Sequence, residues 1–329
     1  MRDRARARKA RVIFPEGHND TIIQAASQLA EDGICQPVLL GRALRIAEKA
    51  ELLGVDISGV EIVYAAELEE ARDCYAQQLY EKRSRKGLTR SEADWNLFKP
   101  VYFAASMLEN GEVDALVHGI EANYAEVLRP CLQVIGRRPD GSGGKGRVAG
   151  LYILAFPNRE LLFLADTTVN IEPDAQALSE IAVQTAAFVR DLGIEPRVAM
   201  VTFSNFGSVV HEEADLAAAA VDIVRTIDPG LEIDGEMQAD TAVNFMKLRN
   251  TYPFARLTGP ANILVFPRLS AANSAYKLLE EVGGADVIGP VLLGMAKPVH
   301  VLQRGSSLTN VLDLATVASV DWQARNRQV

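Results

Sequence analysis

The chain has 329 residues, of which 48% are hydrophobic and 23% are charged, and its formal net charge is −9. This length predicts two domains, and the composition is typical of a globular protein with a large core. The acidic charge argues against general nucleic-acid binding, and no segment approaches the roughly 20 apolar residues of a membrane span. The three cysteines match neither a metal-binding nor a disulfide pattern, and the N-terminus does not resemble a signal peptide. Together these features predict a cytoplasmic location.

Short apolar, β-branched segments alternate with longer helical patterns along the chain. Strands are predicted at 11–14, 37–40, 60–64, 113–117, 148–156, 161–165, 197–202, 232–235 and 262–266. Helices are predicted at 20–32, 44–53, 66–85, 90–110, 123–135, 175–192, 213–227, 240–250 and 270–281. Because helices of this length separate the strands, we predict an α/β fold of two Rossmann-like domains with parallel-type sheets and a cleft between them.

A polar, glycine-rich segment at 137–146 is predicted to be a surface loop at the domain boundary. Its Gly-Ser-Gly-Gly-Lys-Gly sequence formally matches a dinucleotide fingerprint. A strand rather than a helix follows it, however, and the pyrophosphate of a dinucleotide needs a helix N-terminus. A flexible loop is therefore the preferred interpretation.

Arginines occur at three positions where an anion could bind. Arg83 belongs to a basic cluster at a predicted helix end, where cations either complement the helix dipole or contact phosphate. Arg129 lies on the helix that follows a buried strand ending near His118, and a lone histidine is more often structural than catalytic. Arg304 begins an Arg-Gly-Ser-Ser turn that leads into a helix.

A serine-containing turn follows the predicted strand at 197–202. Ser204, Ser208 and the neighbouring backbone N–H groups could hold an anion, as at other strand-to-helix turns. Alternatively, Ser208 caps the next helix.

Six sequence blocks, taken together and in order, resemble the phosphate acetyl/butyryltransferase family. They are Tyr-Glu-Lys-Arg with Lys-Gly at 80–87, Leu-Arg-Pro at 128–130, Ala-Asp at 165–166, Asp-Gly-Glu-Met-Gln at 234–238, Pro-Ala-Asn-Ile-Leu-Val-Phe-Pro at 260–267 and Asn-Ser-Ala-Tyr-Lys at 273–277. The Asn-Tyr pair at 123–124 and the run at 165–170 look most like the version fused to the C-terminus of bacterial NADP-dependent malic enzymes.

The resemblance implies two α/β domains, formed by 1–141 with 290–329 and by 142–289, with CoA in the cleft. It also implies a homodimer or higher homo-oligomer. In the active family, arginines bind phosphate while the CoA thiolate attacks acetyl phosphate, a carboxylate removes the thiol proton, and a serine assists. The expected acetyl-CoA and phosphate ligands are Arg83, Arg129, Ser204, Ser208, Asn273 and Arg304.

The chain departs from the family at the positions that move protons. Gln303 stands where the family has the serine, Asn310 aligns with the catalytic aspartate, and Phe206 replaces a lysine. An amide has no accessible basic pKa, so it cannot remove a thiol proton near neutrality. We therefore expect no catalytic residue and no metal in this chain.

The expected function is then a regulatory domain of a malic enzyme that binds acetyl-CoA without turnover. The arginine-rich lead before the first strand is interpreted as an interdomain linker of a longer polypeptide. NADP and a divalent metal are expected in the malic enzyme catalytic domain.

Two alternatives remain open from the sequence. One is an active phosphate acetyl- or butyryltransferase, in which His300 or a water would act as the base. The other is a dehydrogenase of the isocitrate dehydrogenase type, for which we find no clustered aspartate metal site in the sequence.

Overall fold

A computed structural model describes residues 1–139 and 146–327, in which strands and helices alternate. The strands are β1 Ala10–Phe14, β2 Cys35–Leu40, β3 Glu61–Val63, β4 Ala115–His118, β5 Ala149–Ala155, β6 Leu162–Ala165, β7 Arg197–Val201, β8 Glu232–Met237, β9 Ile263–Val265, β10 Asp286–Leu293 and β11 Val299–Val301. The helices are α1 Arg2–Ala7, α2 Asp20–Glu31, α3 Ala43–Leu53, α4 Glu69–Arg83, α5 Arg90–Asn96, α6 Pro100–Glu109, α7 Tyr124–Val134, α8 Ala175–Asp191, α9 Glu212–Ile227, α10 Ala239–Val243, α11 Phe245–Thr251, α12 Leu269–Glu281 and α13 Leu308–Arg325. Most of the glycine-rich segment predicted as a boundary loop lies outside the described residues.

The first of two units comprises Met1–Pro139 and Met295–Val329. Its strands form a parallel sheet in the order β3-β2-β1-β4-β11. The central strands β1 and β4 are buried along nearly their whole length, as expected for parallel strands covered by helices on both faces. The carboxyl ends of β1, β4 and β11 therefore lie side by side at one edge of the sheet.

The second unit comprises Asp140–Gly294. Its strands follow the order β10-β5-β6-β9-β7-β8, with β5 antiparallel to both of its neighbours and the remaining pairs parallel. The carboxyl ends of β7 and β8 are adjacent, and the loop after β7 carries the predicted serine pair.

The predicted α/β fold is confirmed, with differences at particular elements. The helix predicted at 90–110 is divided into α5 and α6, because Pro100 occupies the first turn of a new helix. The arginine-rich lead forms helix α1, and Gln323 Nε2 holds it by donating to the carbonyl oxygens of Arg4, Ala5 and Arg8. None of the described helices is long and apolar enough to cross a membrane.

Gly294 is the position where we expect a small substitution to damage the fold most clearly. Its φ is +77°, and an added Cβ would lie 1.9 Å from the backbone oxygen of Arg147. Gly193 has a similar φ of +83° but nothing within 4 Å, so it is a matched control. We expect Gly193→Ala to lower the free energy of unfolding by about 1–2 kcal/mol, the backbone cost alone, and Gly294→Ala to cost clearly more. Urea denaturation measures both, and equal losses would contradict the predicted clash.

Candidate functional site

The edge of the first sheet is built from loops that are bonded to one another. The Glu16 carboxylate, after β1, accepts hydrogen bonds from the backbone N–H groups of Gly119 at 2.9 Å, Ile120 at 3.1 Å and Glu121 at 2.7 Å. The loop after β11 joins the same assembly, because Leu302 N donates to the His118 carbonyl at 2.8 Å and Gly305 N donates to that of Ile120 at 3.0 Å. Three loops from adjacent strands are thus fixed together.

His118 is the last residue of β4, and its ring faces Glu16. Nδ1 lies 2.9 Å from Glu16 Oε2, and the side chains are only 9% and 7% exposed. Burial alone would raise the pKa of Glu16, but the contact with His118 and the N–H groups of Gly119 and Glu121 lower it to about 2. Glu16 is therefore a buried anion at neutral pH.

The predicted arginines belong to this unit and lie on three of its segments. Arg83 ends α4 and Arg129 lies on α7, and both act electrostatically on Tyr102 of α6. Burial raises the pKa of Tyr102, whereas the positive charges of Arg129 and Arg83 work in the opposite direction. Arg304 is exposed in the turn whose next residue, Gly305, is bonded to the β4–α7 loop.

The same arginines lack acidic partners within the described part of the chain. No ion pair or side-chain hydrogen bond is found for Arg83, Arg129 or Arg304. By contrast, Lys82, next to Arg83, contacts Glu109 at 2.5 Å and the Val134 carbonyl at 2.7 Å. In a protein of net charge −9, unpaired arginines on neighbouring segments indicate a place for an external anion.

Asn310 has a structural partner of its own. Its Oδ1 accepts from the backbone N–H of Ser307 at 3.1 Å and from the Ser307 hydroxyl at 2.7 Å, which completes a capping box at the start of α13. Gln303 is half-buried, and its carbonyl oxygen accepts from the Ser306 hydroxyl at 2.7 Å. Two of the three positions that depart from the family thus belong to the turn that carries Arg304.

His300 cannot serve as the replacement base that the sequence left open. It is fully buried on β11, and its Nε2 lies 3.3 Å from Asp321 of α13. Burial alone would raise the pKa of Asp321, yet the charge of Arg325 and the contact with His300 hold it well below its usual range. A side chain enclosed between β11 and α13 is inaccessible to a substrate.

In the second unit, the predicted anion-binding turn contains a carboxylate of the protein itself. Glu236, buried at the end of β8, accepts from the Ser204 hydroxyl at 2.9 Å and from Gly207 N at 2.6 Å. Ser208 Oγ lies 3.3 Å from Ser204 Oγ and accepts from Asn205 N at 2.9 Å. The structure therefore joins the two serines, and it shows that the inner part of the turn is already occupied.

Phe206 and Asn273 complete the set of predicted positions. Phe206 has a φ of +48° and packs against Tyr252 and Phe254, with ring centroids 5.0 Å away in each case. An aromatic cluster thus replaces the family's lysine. Asn273 is half-buried on α12, and no described contact joins it to either serine.

Sequence reasoning missed the importance of two buried acids, Glu16 and Glu236. Each follows or ends a strand and lies next to a glycine, in Pro-Glu-Gly and Asp-Gly-Glu. That pattern is a usable signal, because a carboxylate beside a glycine turn at a strand end often accepts backbone N–H groups.

Comparison with known proteins gives full-length matches. A family model described as phosphate acetyl/butaryl transferase matches residues 1–319. The phosphate acetyltransferase of Thermoanaerobacterium thermosaccharolyticum is 36% identical over 327 residues, 98% of each chain, and that of Bacillus subtilis is 33% identical over 319 residues, 97% of each. A solved phosphotransacetylase from Streptococcus pyogenes has a TM-score of 0.88 at 31% identity and covers 99% of this chain and 97% of that one.

These matches contradict the prediction of a non-catalytic regulatory domain of a malic enzyme. The relatives matched along almost their whole length are named phosphate acetyltransferases, so a malic enzyme activity with NADP and a divalent metal has no support. The prediction rested on Gln303 and Asn310, whereas the likeness to the phosphate acetyltransferases extends over nearly the whole chain.

Glu16 is expected to make stability depend on acid pH. Its pKa in the folded protein, about 2, is below the ordinary value of 4.5, so its contribution is complete above pH 4.5 and is lost as pH falls towards 2. We predict that Glu16→Gln lowers the free energy of unfolding by a few kcal/mol at pH 7, and that this difference from wild type shrinks below about pH 4. Urea denaturation of both proteins at several pH values measures it. A difference that stays constant from pH 7 to pH 3 would show that the charge of Glu16 contributes nothing.

Proposed function

Since the chain belongs to the phosphate acetyl/butaryl transferase family, we propose that it transfers an acyl group between CoA and inorganic phosphate. The names of the relatives favour acetyl as the acyl group. The observation that carries the proposal is the set of unpaired arginines Arg83, Arg129 and Arg304 in the first unit, of which Arg304 lies on the turn bonded to the β4–α7 loop.

The arginines fit the chemistry of the phosphoryl end of the substrate. A guanidinium donates parallel hydrogen bonds that match the oxygens of phosphate, and it keeps its charge at any working pH. Each charge-assisted hydrogen bond contributes about 1.5–3 kcal/mol, so two or three of them account for binding of a small dianion. Arg83 and Arg129 would hold the phosphate, and Arg304 would approach from the turn fixed to the β4–α7 loop.

In the proposed reaction, the CoA thiolate attacks the carbonyl carbon of acetyl phosphate. A carbon–sulfur bond forms, negative charge develops on the carbonyl oxygen, and the bond between the carbonyl carbon and the phosphate oxygen then breaks to release phosphate. The arginines stabilise the charge that moves to the oxyanion and the leaving group. Asn310 cannot remove the thiol proton, because an amide is not basic and its oxygen already accepts from Ser307.

The residues predicted in the second unit are proposed to have different roles. Ser204 would act by holding Glu236 and the turn, since its hydroxyl already donates to that carboxylate. Ser208 and Asn273 remain proposed polar contacts for the coenzyme. The homo-oligomer implied by the family likewise remains a prediction.

The activity and the role of Arg304 can be tested together. We expect the purified chain to release CoA thiol from acetyl-CoA only when phosphate is present, at about 1–100 s⁻¹. Loss of one charge-assisted contact in Arg304→Ala should lower kcat/KM for phosphate about tenfold to a hundredfold. The control is Arg45→Ala, an exposed arginine on α3 that likewise lacks a partner in the described structure. Absence of phosphate-dependent thiol release in wild type would overturn the proposed function, and equal behaviour of the two variants would remove Arg304 from the site.

A further inference from the structure

The proposed reaction needs a group that takes the proton from the CoA thiol, and most candidates can be eliminated. Asn310 is not basic, and His300 is fully buried against Asp321. Glu236 is enclosed by its own turn, with Ser204 and Gly207 as donors. Two further groups lie at the edge that carries the Arg304 turn, but they contact each other: His18 Nε2 lies 3.0 Å from Glu121 Oε2, and the Asn19 amide donates to Glu121 Oε1 at 2.8 Å. His118 is the histidine of this edge whose Nε2 has no partner in the described structure.

The position of His118 is central to that edge. It ends β4, which pairs with β1 on one side and β11 on the other. Its own carbonyl accepts from Leu302 N, two residues before Arg304, and the loop that follows it leads into α7 and Arg129. A side chain at the carboxyl end of a central parallel strand lies where open α/β sheets bind their ligands.

The proximity of Glu16 bears on which nitrogen of the ring is basic. An ionised carboxylate can only accept, so Glu16 Oε2, 2.9 Å from Nδ1, favours the tautomer that carries the proton on Nδ1, although the two groups are not aligned as a hydrogen bond. In the neutral ring, Nε2 then keeps its lone pair, and no protein group of the described chain is bonded to it. Glu16 holds the ring and would also stabilise the imidazolium once Nε2 is protonated, as in other oriented histidine bases.

A purely structural role explains this pair less well. Glu16 already accepts from three backbone N–H groups, which are enough to fix the β4–α7 loop without a histidine. The imidazole adds an ionisable ring, 9% exposed, to an anion that needs no further donor. A buried anion paired with an otherwise unpartnered ring is the usual arrangement of a histidine that moves protons.

We propose that His118, oriented by Glu16, is the general base that removes the proton from the CoA thiol. This inference rests on the proposed acyl transfer. In the forward reaction the proton moves from sulfur to Nε2, the thiolate attacks the carbonyl carbon, and the bond to phosphate breaks. The imidazolium then gives its proton to the released phosphate or to water, and in the reverse direction it protonates the departing thiolate.

The test compares CoA with an analogue whose terminal thiol is a selenol, which is ionised at neutral pH and needs no base. The variant is His118→Asn, whose amide nitrogen can still donate to Glu16 but which has no basic lone pair. With CoA and acetyl phosphate, we expect kcat to fall about 10²- to 10⁴-fold while KM for CoA changes little. With the selenol analogue, the variant should be about as fast as wild type.

The control is His211→Asn. His211 caps α9 by accepting from Glu213 N, and asparagine is a favoured cap residue.

A second variant keeps the result interpretable if His118→Asn damages the fold. Adding Asn310→Asp supplies a carboxylate that still accepts from Ser307, so it should restore part of the CoA-dependent rate in both His118→Asn and His118→Gln. Unchanged kcat with CoA in a His118 variant would overturn the proposal. The proposal would also be overturned if the His118 variants lost as much kcat with the selenol analogue as with CoA, and if Asn310→Asp restored neither. Such losses would indicate a structural role of His118. An inactive wild type would instead defeat the proposed acyl transfer itself.

Discussion

The bonds from the backbone N–H groups of Gly119, Ile120 and Glu121 to the Glu16 carboxylate determine the shape of the proposed active edge. They bring the end of β1 against the loop after β4, and the bonds from that loop to Leu302 and Gly305 then position the turn of Arg304. Gly119 is required for this approach, because a Cβ there would lie 2.7 Å from the Leu302 oxygen at a φ of +124°. The Glu16 carboxylate therefore links the ends of two strands, and the backbone bonds of Leu302 and Gly305 add the third.

Only some of the charged side chains of the first unit are paired with an opposite charge inside the protein. Glu16 is compensated by donors and by His118, whereas the three predicted arginines of this unit have no acidic partner in the described structure. Positive charge without a partner is costly only if it is buried, and Arg129 and Arg304 are exposed. Such a site loses little free energy when empty and gains charge-assisted hydrogen bonds when a phosphate arrives.

Much of the fold could be predicted from the sequence because the apolar periodicity of β1 to β9 and of the long helices is strong. The C-terminal elements were harder to define, since Gly289, Pro290 and Pro298 interrupt the apolar runs around β10 and β11. The arginines were predictable because their blocks resemble a family. The Glu16–His118 pair was not, since it joins residues about a hundred positions apart, and only the register of β1 against β4 brings them together. The burial of His300 could not be predicted either, because a strand of three residues is too short for its pattern to show which side chains face a helix.

The family position of Asn310 shows why residue identity alone misled the functional prediction. An amide at the site of a base suggests a lost activity, but a base can come from a neighbouring strand end if the geometry places one there. The most direct test of acyl transfer at this edge is the incorporation of labelled inorganic phosphate into acetyl phosphate by the wild-type chain, with and without CoA. The account predicts exchange that requires CoA and is strongly reduced in Arg304→Ala. Exchange that proceeds equally without CoA, or no exchange at all, would contradict it.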